Sequence, residues 1–202
     1  MESIVQAGSE FLDAAMFRTR QAWVETAVCR LKLNSKPVGT GFLIGPSVVM
    51  TNHHVVTSVI DGNAAPTAIS CQFDYKRLPN GKEVSAGVEY GVVGGEGWLI
   101  AATPPTGEEL SDQAKTQLPT MGQLDFALLR LKQAVGNLPL SDDMPMEPGQ
   151  TASAPRAWLP FADGYDFPPD SPLFIMQHPH KAPLKLALAS NGVIGVNANG
   201  DA

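Results

Sequence analysis

Short apolar runs broken by Gly, Pro, Asn and Asp fill the chain from Thr26 onward. Short strands at regular spacing, separated by such turn residues, are typical of β-sandwiches and β-barrels. The pattern therefore predicts an all-β protein. The predicted strands are TAVCRLKL, GTGFLIG, SVVMTN, AISCQFDY, GVEYGVV, DFALLRLK, PLFIMQH, LKLALA and GVIGVNA.

The one convincing helical pattern precedes these runs, at residues 9–24 (SEFLDAAMFRTRQAWV). Ser9 is suited to cap this helix, because its side chain can accept a hydrogen bond from a free backbone N–H of the first turn. The spacing of the apolar residues predicts an amphipathic helix. The residues near its apolar face are Phe11, Leu12, Ala15, Met16 and Trp23.

The composition agrees with this pattern. Of the 202 residues, 44% are hydrophobic and 17% charged, and there are 19 Gly and 17 Pro. Such a chain can form one domain of ordinary size, or two small domains that share a core. Two stretches rich in Pro, Gly and acidic residues, 103–123 and 141–172, predict loops. The second loop could mark the passage from one half of the molecule to the other.

The net charge of −6 argues against a polyanionic partner, so we expect no binding to nucleic acid. No apolar run is long enough to span a bilayer. The N-terminal sequence lacks the basic region followed by an apolar stretch that marks a secretory signal peptide. We therefore expect a cytoplasmic protein that does not bind membranes.

The two cysteines, Cys29 and Cys71, each lie in an apolar, strand-like run. Their spacing matches no metal-binding motif. We expect buried, reduced thiols, because a disulfide would require an oxidising compartment that the N-terminal sequence does not indicate.

Two of the four histidines, His53 and His54, stand side by side at the end of GTGFLIGPSVVMTNHHVV. If the strand continued through them, their side chains would point to opposite faces and could not serve one site. At a strand end, one ring can face a cleft while the other faces solvent. Taken alone, the pair is better explained as surface or capping histidines.

Asp125 gives His54 a possible partner. It begins the strongly apolar run DFALLRL, and a carboxylate beside such a strand is costly to bury unless it is hydrogen-bonded or paired. A histidine N–H is a natural donor, and the carboxylate would hold the imidazole in one tautomer and stabilise the imidazolium. The alternative is a solvated residue that caps the strand.

These motifs resemble those of trypsin-like, chymotrypsin-fold serine peptidases. In that family a Gly-rich strand, a turn and an apolar strand lead to Thr, two variable residues and the catalytic histidine. On this pattern the histidine is His54, and Asn52 and His53 occupy the variable positions. DFALLRL resembles the segment that begins with the catalytic aspartate, here Asp125. The separation of 71 positions from His54 to Asp125 is long for the family, so we expect an insertion before Leu124.

The likeness is closer to intracellular bacterial domains of this type, in which a short helix precedes an AVCRL-like strand. The late segment FIMQHPHKAPLKLALASNGVIGVNANG resembles the sequence that leads to their catalytic serine. The resemblance implies two antiparallel β-barrels after a helical segment at residues 1–25. The first barrel would span residues 26–135, and residues 136–202 would hold a linker and an incomplete second barrel.

The nucleophile of that family is not evident here. After Asp125, the serines are Ser141, Ser153, Ser171 and Ser190, and none lies in a Gly-x-Ser-Gly turn. Cys71 precedes Asp125 and so does not replace the serine in the family's order. We therefore expect that the chain is truncated before its serine and is inactive alone. The alternative is a non-catalytic protein-binding module that keeps the protease fold.

The resemblance also implies that no cofactor is needed and that the substrate is a protein or peptide. A regulatory partner domain or a complementing C-terminal segment would be a further partner. His178 and His180 could share one face of a strand and hold a metal ion, but no third ligand is evident and the family uses no catalytic metal. We therefore predict no metal site.

Overall fold

The computed structural model describes residues 13–78, 80–107, 120, 122–140, 154–161, 172–179 and 182–189. Within these residues, two α-helices, α1 (Ala14–Ala27) and α2 (His53–Ile60), accompany eleven strands. The strands are β1 (Val28–Leu33), β2 (Lys36–Gly45), β3 (Val48–Thr51), β4 (Ile69–Phe73), β5 (Lys76–Arg77), β6 (Glu83–Ser85), β7 (Val88–Gly91), β8 (Leu99–Thr103), β9 (Phe126–Arg130), β10 (Leu173–Gln177) and β11 (Lys185–Ala189).

Helix α1 confirms an N-terminal helix, but its described bounds and contacts differ from the prediction. Asp13, not Ser9, caps it, accepting a hydrogen bond of 2.8 Å from the backbone N–H of Met16. Met16 is 54% exposed, and the buried residues are Thr26 and Ala27 at the other end. The helix is thus anchored by its last turn, which leads into β1, and not by an apolar stripe. Ser9, Phe11 and Leu12 lie outside the described residues.

Seven antiparallel strands form the main sheet, in the order β7-β4-β1-β2-β3-β9-β8. Beyond β7, Val92 bridges to Leu131, and the N–H of Val93 donates to the carbonyl of Arg130 at 2.9 Å. The N–H of Lys132 donates to the Gly91 carbonyl at 3.0 Å. These bonds bring one edge of the sheet back to the far end of β9, although the ladder of strands is not closed into a barrel. The predicted boundaries at residues 25 and 135 stay a prediction.

The core lies inside this curled sheet. In β1, β2, β3, β4 and β9, residues two positions apart are buried in it, as the two-residue period of a strand requires. Cys29 and Cys71 are among them, both buried and free of a disulfide, as predicted. Burial raises the pKa of the Cys29 thiol, which keeps it protonated. Fully buried residues of the core include Cys29, Leu31, Leu43, Val49, Cys71, Phe73, Val92, Ala127, Leu129 and Val135.

A buried ion pair fastens residues 154–161 to this core. The guanidinium of Arg156 donates to both carboxylate oxygens of Asp74, at 2.9 and 2.5 Å, and both side chains are inaccessible to solvent. Arg156 also donates to the carbonyl of Thr26 at 2.6 Å. The pair therefore joins three distant parts of the chain.

Strands β10 and β11 form a separate antiparallel hairpin. Its contacts with the rest of the described structure include the rings of Phe17 and Phe174, edge to face at 5.0 Å, the ring of His178 stacked on Tyr75, and the N–H of His178, which donates to the hydroxyl of Thr40 at 2.9 Å. Four apolar side chains of the hairpin remain exposed: Phe174, Ile175, Leu186 and Leu188.

Most predicted strands are confirmed with bounds shifted by a few residues, whereas β5, β6 and β8 were not predicted. The predicted strand GVIGVNA lies outside the described residues. Neither α1 nor α2 has the length and hydropathy of a membrane-spanning segment.

Candidate active site

The two adjacent histidines open helix α2 and do not end a strand. Successive residues of a helix point in different directions, which separates the two rings. The His53 ring nitrogen Nδ1 lies 3.3 Å from the hydroxyl of Thr57, one turn along the helix. The ring of His54 turns the other way, toward Asp125.

Helix α2 is held close to β2. Its buried residues are Val56 and Val59. Gly39 of β2 leaves the space that Val55 needs, because a Cβ atom at residue 39 would lie only 2.7 and 2.8 Å from the two methyl groups of Val55. The Gly-rich start of the motif therefore sets the distance between strand and helix.

The pairing of β3 with β9 brings Asp125 to the start of α2. Thr51, the last residue of β3, is paired with Ala127. The chain positions just beyond, His53 and Asp125, therefore face each other, and the N–H of His53 donates to the Asp125 carbonyl at 3.3 Å. The sheet register thus places a carboxylate and an imidazole side by side, although 71 residues separate them in sequence.

The imidazole of His54 and the carboxylate of Asp125 are directly hydrogen-bonded. Nδ1 of His54 lies 2.7 Å from Oδ2 of Asp125, and the backbone N–H of His54 donates to Oδ1 at 3.1 Å. A carboxylate can only accept, so the proton of a neutral imidazole resides on Nδ1. Nε2 then keeps its lone pair. Since the His54 side chain is 54% exposed and that of Asp125 only 12%, the base faces solvent and its partner does not.

Asp125 adopts a left-handed backbone conformation, with φ of 47°. Few residues other than Gly do so, and Asp and Asn are the commonest among them. The backbone N–H of Asp125 donates to the carbonyl of Pro104 at 3.3 Å. This bend aims the carboxylate at α2 before the chain enters β9.

Asn52 also contacts Asp125, although the family pattern treats its position as variable. Its Nδ2 donates to Oδ2 of Asp125 at 3.0 Å and to the Asp125 carbonyl at 3.2 Å. In the sequence, Asn52 stands at the end of the predicted strand SVVMTN, and nothing there marks it as a partner of a distant carboxylate.

A cavity of about 290 Å³ lies beside this cluster. Thr51, Asn52 and Asp125 line it from the main sheet, and Ile175 and Gln177 of β10 line it from the hairpin. The late segment of the chain therefore forms one wall of the space next to Asp125. A second cavity, of about 360 Å³, lies between α1 and the hairpin, and its lining includes neither His54 nor Asp125.

His178 is buried and bound within the hairpin. Its Nδ1 lies 3.0 Å from the carbonyl of Ala182, and its ring stacks on Tyr75. Burial is the main reason that its pKa falls to about 4, so the ring is neutral at pH 7. His180 lies outside the described residues. In the part of the chain that is described, no three His, Cys, Asp or Glu residues are close enough to hold a metal ion.

The sequence also matches a known protein family. The sequence model of the trypsin-like peptidase domain matches residues 39–201, which include both His54 and Asp125. The chain belongs to this family. Its predominantly β structure, with a short helix before the first strand, is the fold expected of a trypsin-like, chymotrypsin-fold domain.

Among solved structures, the trypsin-like domain is similar to the scabies mite inactivated protease paralogue S-I1. The two share 16% sequence identity with a TM-score of 0.44, over 87% of this chain and 69% of the other. No curated protein matches the chain in sequence.

Proposed function

We propose that this trypsin-like domain is part of a serine endopeptidase in which His54 is the general base and Asp125 orients it. The observation that carries the proposal is the 2.7 Å contact between Nδ1 of His54 and Oδ2 of Asp125. It supports a neutral imidazole whose Nε2 is free to take a proton, on the exposed side of the pair.

The chemistry follows from these positions. Nε2 of His54 accepts the hydroxyl proton as the serine oxygen attacks the carbonyl carbon of the scissile peptide bond. The proton then passes to the leaving amine as the C–N bond breaks, and a water molecule hydrolyses the acyl-enzyme by the same route. Asp125 stabilises the imidazolium at each proton transfer and keeps the proton of the resting ring on Nδ1. No cofactor is needed.

The nucleophile is proposed to lie outside these 202 residues. None of Ser141, Ser153, Ser171 and Ser190 stands in a Gly-x-Ser-Gly turn, which in this family supplies both the nucleophile and the oxyanion hole. All four lie outside the described residues. The proposed partners are a protein or peptide substrate and either a regulatory domain or a segment that completes the second half. The cytoplasmic location stays a prediction.

Activity of the full-length gene product tests the proposal. We expect it to hydrolyse peptide substrates, and we expect the 202-residue chain alone not to. His54→Ala should abolish turnover. Asp125→Asn should lower kcat on the order of 10⁴-fold, because an amide at this position favours the wrong imidazole tautomer.

His53→Ala is the matched control, since its ring contacts Thr57 and not Asp125. It should retain nearly full activity. A full-length product with no Gly-x-Ser-Gly turn and no turnover would instead support the non-catalytic binding module. Inactivation by His53→Ala with activity retained in His54→Ala would show that the assignment is off by one residue.

A further inference from the structure

Asn52 occupies the N-cap position of helix α2 without capping it. An N-cap side chain normally accepts a hydrogen bond from the second or third backbone N–H of its helix. The side chain of Asn52 accepts no such bond. Its amide nitrogen donates to Asp125 instead, at 3.0 Å to Oδ2 and 3.2 Å to the backbone carbonyl.

Asp125 carries out the capping that Asn52 does not. Its Oδ1 accepts the backbone N–H of His54, the second residue of α2, at 3.1 Å. The free N–H group at this helix start is therefore satisfied from another part of the chain. Among the described residues, the hydrogen bonds donated by the amide of Asn52 both go to Asp125.

The contacts of Oδ2 show what the amide does. This one oxygen accepts from both His54 Nδ1 and Asn52 Nδ2, at 2.7 and 3.0 Å. Two donors from different directions fix the rotation of the carboxylate about its last side-chain bond. The side chain of Asp125 is only 12% exposed, so most of the donors that reach it belong to the protein. The bond to the carbonyl also holds the left-handed bend at φ of 47°.

We propose that Asn52 is a positioning residue of the site: its amide clamps the carboxylate and backbone of Asp125, so that Oδ2 holds His54 in the Nδ1–H tautomer. A role of Asn52 in catalysis rests on the proposed function. Its effect on the His54 tautomer does not, because the tautomer can be measured in the 202-residue chain, which is proposed to lack the nucleophile.

Two variants separate this role from helix capping. Gly is nearly as good an N-cap as Asn, whereas Ala is a poor one, and neither has an amide donor. If Asn52 only started the helix, Asn52→Gly would resemble the wild type and Asn52→Ala would not. If the amide of Asn52 positions Asp125, both variants lose its hydrogen bonds to Asp125 to the same extent.

The experiment is ¹⁵N-resolved NMR of the histidine rings in the 202-residue chain at a pH where His54 is neutral. The wild type should show His54 mainly as the Nδ1–H tautomer, with a slowly exchanging, downfield Nδ1 proton. In both variants the ratio of Nδ1–H to Nε2–H should fall about three- to tenfold, the range that one hydrogen bond supplies. Backbone chemical shifts of residues 53–60 should show that α2 remains helical in Asn52→Gly.

A wild-type ratio retained by Asn52→Gly with α2 intact would overturn the proposal, as would a wild type dominated by the Nε2–H tautomer. Activity of the full-length product distinguishes this result from failure of the proposed function. If the clamp is real and the enzyme active, Asn52→Gly lowers kcat about three- to tenfold with KM unchanged. If both variants change the tautomer ratio as expected but the full-length product has no peptidase activity, only the proposed function fails.

Discussion

His178 shows what burial does to a single ionisable residue. Desolvation is the main cause that lowers its pKa to about 4; the positive charge of Arg30 acts in the same direction, whereas the Ala182 carbonyl opposes both. Arg30 lies over the ring of Tyr75, which in turn stacks on His178. The charged form is therefore disfavoured where the hairpin meets the main sheet, while an unfolded chain has no such penalty.

This residue makes the stability of the fold sensitive to acid. Between pH 6.5, the ordinary histidine value, and about pH 4, the unfolded state binds more protons at His178 than the folded state. Stability therefore falls as the pH falls through this window, by about 3 kcal/mol at most, and this group contributes almost no slope above about pH 8. His178→Asn can keep the bond to Ala182 and does not titrate. We expect urea unfolding from pH 7 to 4.5 to show a smaller decline in this variant.

The control for that experiment is His53→Asn, at a histidine that is only partly buried. Its stability should decline on acidification as much as that of the wild type. An equal loss of stability on acidification in the wild type and in His178→Asn would show that His178 does not govern the pH dependence.

At the scale of elements, most strands of the main sheet could be predicted, whereas helix α2 could not. Buried residues recur two positions apart in β1, β4 and β9, and the apolar runs of these strands are long enough to recognise in the sequence. The helix sequence HHVVTSVI is rich in β-branched residues, which favour strands. It is helical because distant groups hold it there: Asp125 caps its first turn, and Gly39 leaves room for Val55.

Within the site, too, one contact could be predicted from the sequence and another could not. The pairing of His54 with Asp125 could be predicted, because a carboxylate beside an apolar strand needs a donor and the imidazole supplies one. The role of Asn52 could not, since it depends on the left-handed bend at Asp125, 73 residues away. Strands β5 and β6 have only two and three residues, too few for a periodic signal.

Gly39→Ala tests how closely α2 must approach β2. The added Cβ would lie 2.7 Å from a methyl group of Val55, so helix or side chain must move. We expect a loss of about 1–3 kcal/mol in unfolding free energy, as overpacking usually causes. The double variant with Val55→Ala should recover part of the lost unfolding free energy, because the side chains at residues 39 and 55 occupy the same space.

Gly97→Ala is the matched control, since no atom lies within 4 Å of the Cβ position at residue 97. This variant should be as stable as the wild type or slightly more so. If Gly39→Ala were equally stable, the strand and helix would not be in tight contact.

At the scale of the whole molecule, the two parts of the described structure are held together to different degrees. In the main sheet, β1 has a hydrogen-bonded neighbour on each side, and residues 154–161 are fixed to it through the buried pair of Asp74 and Arg156. In the hairpin, β10 and β11 pair only with each other, and four apolar side chains are exposed. An isolated two-stranded hairpin is only marginally stable in water.

We therefore expect the hairpin to open more readily than the main sheet. Hydrogen exchange should show amides of β1 and β2 protected on the order of 100-fold more than those of β10 and β11, because local opening needs far less free energy than global unfolding. The exposed edge and apolar surface of the hairpin should also promote self-association, which protects its amides as concentration rises. The measurement is exchange at several concentrations, with the oligomeric state followed by light scattering. Equal protection of β2 and β10 in a strictly monomeric sample would mean that the hairpin is already completed by the 202-residue chain, and the proposal of a missing segment would fail with it.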